Sequence, residues 1–259
     1  MAYPYKCALI TGATSGIGEA FADLLAPNTQ LLLTGRDKAK LANLEERFRT
    51  KGHHVTTIAA DLSHKKGRQS ILEAAEGFPI DLLINNAGLG AFGTFTEIEP
   101  TREMDMIAVN ITAVIELTRS LLPAMIDRAK SNNYRAGMVV VSSTAAITPI
   151  PFLATYAATK AFERHWGEAL AEELCHDPID ILILCPGATR TNFFRRASMD
   201  TSILNNMEEP EAVARKGLNA LGRHTVFVSN GPARFALAPT IFPRKLLTKS
   251  LGYFMRSKR

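Results

Sequence analysis

The chain has 259 residues, 46% of them hydrophobic, with a formal net charge of +5. That suffices for one large α/β domain or two small ones, and the lack of any run of 18 apolar residues gives no reason to expect a spanning helix. The charge is lopsided: Arg234, Arg244, Lys245, Lys249, Arg256, Lys258 and Arg259 make residues 231–259 +7 with no acid, leaving −2 for the first 230. A slightly acidic body of this kind suggests no nucleic-acid surface, and the basic character belongs to the tail. The N-terminus has no basic head before an apolar stretch, so no secretory signal is expected. Cys7, Cys175 and Cys185 lack C-x-x-C spacing and are odd in number. They read as small buried hydrophobes in a reducing, cytoplasmic setting.

Lys6–Thr11 (KCALIT) reads as a short buried strand. It runs into TGATSGIG, carrying Gly12, Gly16 and Gly18, and then into EAFADLLA, apolar at helical spacing. Glycines at a strand-to-helix turn let main-chain N–H groups approach a phosphate, and the helix N-terminus adds its positive end. The alternative is that they serve turn geometry alone. Gln30–Thr34 is the second strand, followed by Gly35-Arg36-Asp37. In a dinucleotide fold an acid at this strand end binds the ribose 2′-hydroxyl, whereas an arginine accommodates a 2′-phosphate. Gly35 followed by Arg36 therefore favours NADP(H), with NAD(H) as the alternative. Asp37 is expected to cap a helix over Lys38–Lys51.

Val55–Ala60 is a third strand, ending at Asp61-Leu62, with Ser63 expected to cap the next helix. Ile80–Ile84 is a fourth, landing on Asn85-Asn86-Ala87-Gly88, a turn suited to locking the sheet, to cofactor contact, or to both. A long helical region spans Glu97–Lys130, interrupted by Pro100 and Pro123. Asn110 lies in its apolar part, as a satisfied core group or as a residue that frees a carbonyl to hold a water. Val139–Val141 is a buried strand ending in Ser142-Ser143. Thirteen residues after Ser143, Tyr156 opens a helix with Lys160 one turn on. Residues four apart share a helix face, and an ammonium beside a phenol favours the phenolate, moving it toward the range of efficient acid–base work. The plainer reading is a half-buried tyrosine beside a solvated lysine.

Ile179–Cys185 is a sixth strand, followed by Pro186-Gly187-Ala188-Thr189-Arg190-Thr191. Asn192–Met207 reads as an irregular surface loop suited to a mobile lid, Glu211–Leu221 as helix, and Thr225–Ser229 as a last strand. Strands and helices alternate without linker or repeat, which predicts one parallel sheet covered on both faces.

Together, Thr11-Gly12-x-x-x-Gly16-Ile17-Gly18, Asp61, Asn85-Asn86-Ala87-Gly88, Asn110, Ser143, Tyr156-x-x-x-Lys160 and Pro186-Gly187-x-x-x-Thr191 resemble the short-chain dehydrogenase/reductase family over roughly residues 6–230. The resemblance implies a Rossmann-type, doubly wound α/β sheet of about seven strands as a single catalytic domain over 1–230, with an extension over 231–259. It implies Tyr156 as general acid/base, Ser143 orienting the substrate oxygen, Lys160 on the nicotinamide ribose, and Asn110 anchoring a relay water. Cofactor contacts would come from Gly12, Thr14, Ser15, Gly16, Ile17, Gly18, Arg36, Asp61 and Leu62 on the adenosine side. Asn86, Ala87, Gly88, Tyr156, Lys160, Pro186, Gly187 and Thr191 would complete them. No metal is implied.

Hydrophobic Phe92, Ile147, Ile150, Phe152, Phe193 and Phe194 are expected around the cleft, pointing to an apolar carbonyl or secondary-alcohol substrate; Arg190, Arg195 and Arg196 admit an anionic group. The expected partners are this small molecule and further copies of the chain, as homodimer or homotetramer through helices near 100–130 and 153–175. The tail mixes apolar and basic residues; packing on the body is favoured over peripheral membrane contact, because Pro239, Pro243 and Gly252 interrupt any long amphipathic helix. Two rivals share some of these features. One is a dinucleotide-binding regulator or redox sensor without hydride chemistry; the other is an epimerase or dehydratase with the same Tyr/Lys pair.

Overall fold

The structure is a computed structural model describing residues 3, 5–199 and 206–230. The 231–259 extension, with every expectation placed on it, lies outside the described residues.

Seven parallel strands form one sheet: β1 Cys7–Ile10, β2 Gln30–Gly35, β3 His54–Ala59, β4 Leu82–Asn85, β5 Ala136–Val141, β6 Ile179–Cys185 and β7 Val226–Val228. Their spatial order is β3-β2-β1-β4-β5-β6-β7, so the winding reverses between β1 and β4. In the register Leu9 lies beside Leu32 on one side and Leu83 on the other. Successive side chains point to opposite faces, and both faces are covered, which is why the inner strands read as unbroken apolar runs. Cys7 and Leu9 enter one core and Ala8 and Ile10 the other.

Helices α1 Gly16–Leu24, α2 Lys38–Thr50 and α3 Lys65–Ala75 follow the first three strands. Next come α4 Pro100–Ile107, a π turn over Ala108–Thr112, α5 Ala113–Asn132 and α6 Ala154–Glu173. A single turn, α7, covers Phe193–Arg196, and α8 covers Pro210–Ala220. Helices α1, α2 and α8 cover one face through Phe21, Phe48 and Val213; α3, α5 and α6 cover the other through Ile71, Leu117 and Ala157.

Asp37 caps α2 as expected, its carboxylate accepting from the Lys40 N–H at 3.1 Å. Ser63 does not cap α3; the N-cap is His64, and Ser63 is held back by Asp61, which accepts from its N–H and its hydroxyl. Pro123 sits inside α5 without ending it. The expected irregular loop after Thr191 instead holds the α7 turn, because Phe193 and Phe194 pack inward against the cleft.

By length and composition the run Pro100–Asn132 is apolar enough to cross a membrane, its most apolar 18 residues having a mean hydropathy of 1.3. In this fold its apolar side, Val109, Ala113, Leu117 and Met125, covers the sheet.

Candidate active site

A cleft of about 380 Å³ opens at the C-terminal ends of the strands, across the point where the winding reverses. Open parallel sheets bind ligands there. Its floor starts at the turn after β1, where Gly12 and Gly16 have φ of +65° and +63°, a backbone that favours glycine. A Cβ on Gly12 would lie 2.9 Å from the Ala87 Cα, and one on Gly16 2.7 Å from a Thr191 methyl. The turn is thus clamped between the loops that follow β4 and β6. Gly18 does not line the cleft; it packs beneath the turn, where a Cβ would meet the Asn86 amide at 2.4 Å and the Gly12 carbonyl at 2.6 Å. Thr14, Ser15 and Ile17 do line it.

Asn86 ties that turn to β4. Its amide donates to the carbonyls of Thr11 and Gly12, at 2.9 and 3.1 Å, while the Asn86 and Ala87 N–H groups donate to the Thr11 hydroxyl. Asn86 thus locks the sheet end, and with Ala87 and Gly88 it borders the cleft. At the outer end, Arg36 approaches Asp61 to 3.8 Å. Burial works to raise the Asp61 carboxyl, but hydrogen bonds from Ser63 and the Arg36 charge outweigh it and hold it below the usual range. A Cβ on Gly35 would lie 2.5 Å from the Thr14 methyl, so the strand end has no room for an acidic side chain without moving Thr14.

At the other end, β5 delivers Ser142 and Ser143, and α6 delivers Tyr156 and Lys160. Helix α6 lies close on β6: a Cβ on Gly167 would come within 2.0 Å of the Ile183 methyl. The Ser142 hydroxyl donates to the Lys160 carbonyl at 2.9 Å, pinning the start of α6 to the strand end. Tyr156 is only 8% exposed. Burial is the largest influence on its phenol and leaves it above the usual value, against the downward pull of the Lys160 ammonium and a hydrogen bond with Ser143. This corrects the expectation drawn from the Tyr/Lys pair: the lysine does pull down, but desolvation is stronger.

Lys160, far from being solvated, is 3% exposed. Its ammonium donates to the Val141 carbonyl at 3.0 Å and to both carboxylate oxygens of Glu163 at 2.9 and 3.0 Å. Glu163 was not singled out from the sequence. The available signal was an acid three residues after the lysine, on the same helix face. Asn110, fully buried, lies behind the cleft and not on it. Its amide donates to the Leu89 carbonyl and the Thr159 hydroxyl, and its oxygen accepts from the Leu89 N–H, each at 2.9 Å.

Among the expected aromatic and aliphatic flanks, Ile150, Phe193 and Phe194 line the cleft; Phe92, Ile147 and Phe152 do not. The Phe193 ring lies 5.2 Å from that of Tyr156 and covers Gly90. Leu153 and Met199 add to the apolar wall. Arg196 borders the cleft, whereas Arg190 is bound to Glu209 outside it and Arg195 is exposed. Arg102, another residue the sequence did not flag, reaches the cleft by donating to the carbonyls of Gly90 and Arg196. Leu62, Pro186, Gly187 and Thr191 complete the lining. Among the described residues no cluster of acids, histidines and cysteines could hold a metal.

A doubly wound parallel sheet with a glycine turn at its reversal and a buried Tyr-Lys pair beside a strand-end serine defines a nicotinamide-dependent oxidoreductase of small carbonyl or alcohol compounds. The short chain dehydrogenase model matches residues 6–202, and the chain belongs to that family. It is 32% identical over 262 residues to the very-long-chain 3-oxoacyl-CoA reductase of Kluyveromyces lactis, covering 95% of this chain and 75% of that protein. A short-chain dehydrogenase from Sphingobium yanoikuyae, solved in complex with NADPH, superposes with a TM-score of 0.78 at 28% identity, over 98% of this chain and 96% of that one. A short-chain dehydrogenase/reductase from Burkholderia phymatum, solved with NAD, gives a TM-score of 0.76 at 25% identity, over 91% and 92%.

Proposed function

We propose that the chain is an NADP(H)-preferring reductase of apolar ketones, with 3-oxoacyl thioesters as the first class to test. The observation that carries the reading is that Ser143, Tyr156 and Lys160 meet at one end of the cleft, whose other walls are Ile150, Leu153, Phe193, Phe194 and Met199. The 3-oxoacyl class is supported by the likeness to the yeast very-long-chain 3-oxoacyl-CoA reductase.

The residues present fit a nicotinamide dinucleotide. The left-handed glycines keep side chains off the turn, and Arg36 with a side-chain-free Gly35 fits a 2′-phosphate better than a bare 2′-hydroxyl. In this reading Gly12, Thr14, Ser15, Gly16 and Ile17 hold the diphosphate, with Gly18 keeping their turn tight. Arg36, Asp61 and Leu62 hold the adenosine; Asn86, Ala87, Gly88, Tyr156 and Lys160 the riboses; Pro186, Gly187 and Thr191 the nicotinamide. Bound there, the nicotinamide supplies or accepts the hydride.

Tyr156 gives its hydroxyl proton to the substrate oxygen, or takes one back in the reverse direction. Ser143 donates a hydrogen bond to that same oxygen and so fixes which carbon faces the hydride. The Lys160 ammonium stabilises the phenolate left behind. Because the Asn110 side chain is fully engaged, holding a relay water would fall to its main-chain carbonyl. Exposed Met104 and Ile107 on α4 and Phe162 on α6 support self-association through these helices.

The test is oxidation of NADPH and of NADH by the purified chain with 3-oxoacyl thioesters of increasing length, beside small polar ketones. Turnover that rises with chain length, prefers NADPH and is lost in Tyr156→Phe supports the proposal. Preference for small polar ketones or for NADH refutes its substrate or cofactor part; full activity in Tyr156→Phe refutes the assignment of the proton donor.

A further inference from the structure

Lys160 and Glu163 form a buried ion pair, with side chains only 4% and 1% exposed. The Lys160 ammonium faces both oxygens of the Glu163 carboxylate and donates to the Val141 carbonyl. The lysine end of the pair borders the cleft, below Gly88, where an added Cβ would lie 3.4 Å from the ammonium. The glutamate end does not border it.

The same geometry bears on charge. A lysine buried without a counter-ion loses its proton easily, with values several units below normal on record. Burial is the largest influence on Lys160, and it acts downward. Glu163 is the strongest opposing one, so the net direction is up. The titratable groups facing the pair are Tyr156 from α6 itself and Cys185 from the end of β6, with the Ser142 hydroxyl against the carboxylate from β5. Within this set Glu163 is the counter-charge, because burial pushes the Cys185 thiol up to about 11 and keeps the Tyr156 phenol protonated. Glu163 itself is pushed up to about 7 by burial, with Lys160 pulling down.

We propose that Glu163 is a positioning residue of the reaction: as the buried counter-ion of Lys160, it keeps that lysine charged and aimed from behind, so that the ammonium can act on Tyr156. The inference rests on the function proposed above, and one arm of its test does not depend on catalysis.

In the full chain without cofactor, the 13Cε resonance of Lys160, assigned by its loss in Lys160→Arg, reports the charge directly. The wild type should remain an ammonium through pH 9. Glu163→Gln should lose the proton at least one pH unit lower, a tenfold or greater fall in proton affinity, and Glu163→Asp should restore most of it. A Lys160 titration unchanged in Glu163→Gln overturns the proposal. Should that variant fail to fold, the wild type carries the same information. Its Lys160 resonance must shift as the Glu163 carboxyl resonance titrates, and independence of the two overturns the proposal.

The catalytic arm is the pH profile of alcohol oxidation. Its acidic limb should move upward in Glu163→Gln and return in Glu163→Asp, whereas a purely structural role would leave the limb in place and overturn the proposal. A lysine that responds in a chain turning over no carbonyl sinks the proposed function and leaves the counter-ion role standing; an unresponsive lysine in an active enzyme does the reverse.

Discussion

Replacing Asn110 tests how the site is held from behind. Its side chain joins the π turn to Leu89, next to Gly88 in the cleft wall, and to Thr159, which in turn donates to the Tyr156 carbonyl at 2.8 Å. Asn110→Ala leaves the buried Leu89 N–H and carbonyl without partners and removes one from the Thr159 hydroxyl. An unsatisfied buried polar group costs about 1–3 kcal/mol, so the loss should be about 2–5 kcal/mol. For a domain of this size that corresponds to roughly 5–15 °C in melting temperature. Asn110→Asp makes the sharper test. Its carboxyl can still accept from the Leu89 N–H, but when ionised it sets a second acceptor against the Leu89 carbonyl. The folded chain therefore favours the protonated acid, raising its folded pKa above the unfolded value of about 3.9. The sign follows: the variant's stability is fully present below about pH 4 and is lost as pH rises through the folded value. Urea unfolding of wild type and both variants at pH 5 and pH 8 measures this. If Asn110→Ala lies within about 0.5 kcal/mol of wild type, where independent surface changes fall, or if Asn110→Asp is no closer to wild type at pH 5 than at pH 8, the clamp is not what holds these elements.

Gly167→Ala sets an overpacking cost of about 1–3 kcal/mol against the Ile183 side chain against a helix-propensity gain of about 1 kcal/mol. A net loss that Ile183→Val partly relieves in a double-mutant cycle is expected, and strict additivity would show that α6 does not press on β6 there. Thiol titration of the native chain should find Cys175 alone reactive, since burial pushes Cys7 up to about 12 and Cys185 up to about 11 while Cys175 is exposed; all three should react in denaturant, and fast native labelling of Cys185 would contradict its burial. Phe193→Ala removes the ring that lies against Tyr156 and Gly90. It should raise kcat/KM for branched ketones relative to straight-chain ones by about tenfold, at the low end of what a few methylenes are worth in an apolar pocket; an unchanged ratio would place the substrate elsewhere.

Residue order alone was enough for the alternation of strands and helices, the glycine turn, the strand-end asparagines and the Tyr-x-x-x-Lys spacing. These are local features: a strand needs only its apolar run, and a helix brings residues four apart onto one face wherever it sits. What depended on distant segments was out of reach. One miss was local: Asp61 accepts from Ser63 only two residues on, an Asx-type turn that leaves the helix start to His64. That Gly167 leaves the space filled by Ile183, sixteen residues on, is set by the packing of α6 on β6. The acidity of Tyr156 was misjudged for the same reason: the neighbouring lysine is visible in the sequence, but desolvation is set by everything packed around the phenol. Glu163 is the plainest case. Its distance from Lys160 along the helix was readable, yet whether the pair meets in water or under the sheet is decided by tertiary packing, and only burial turns a surface acid into the counter-charge of the site.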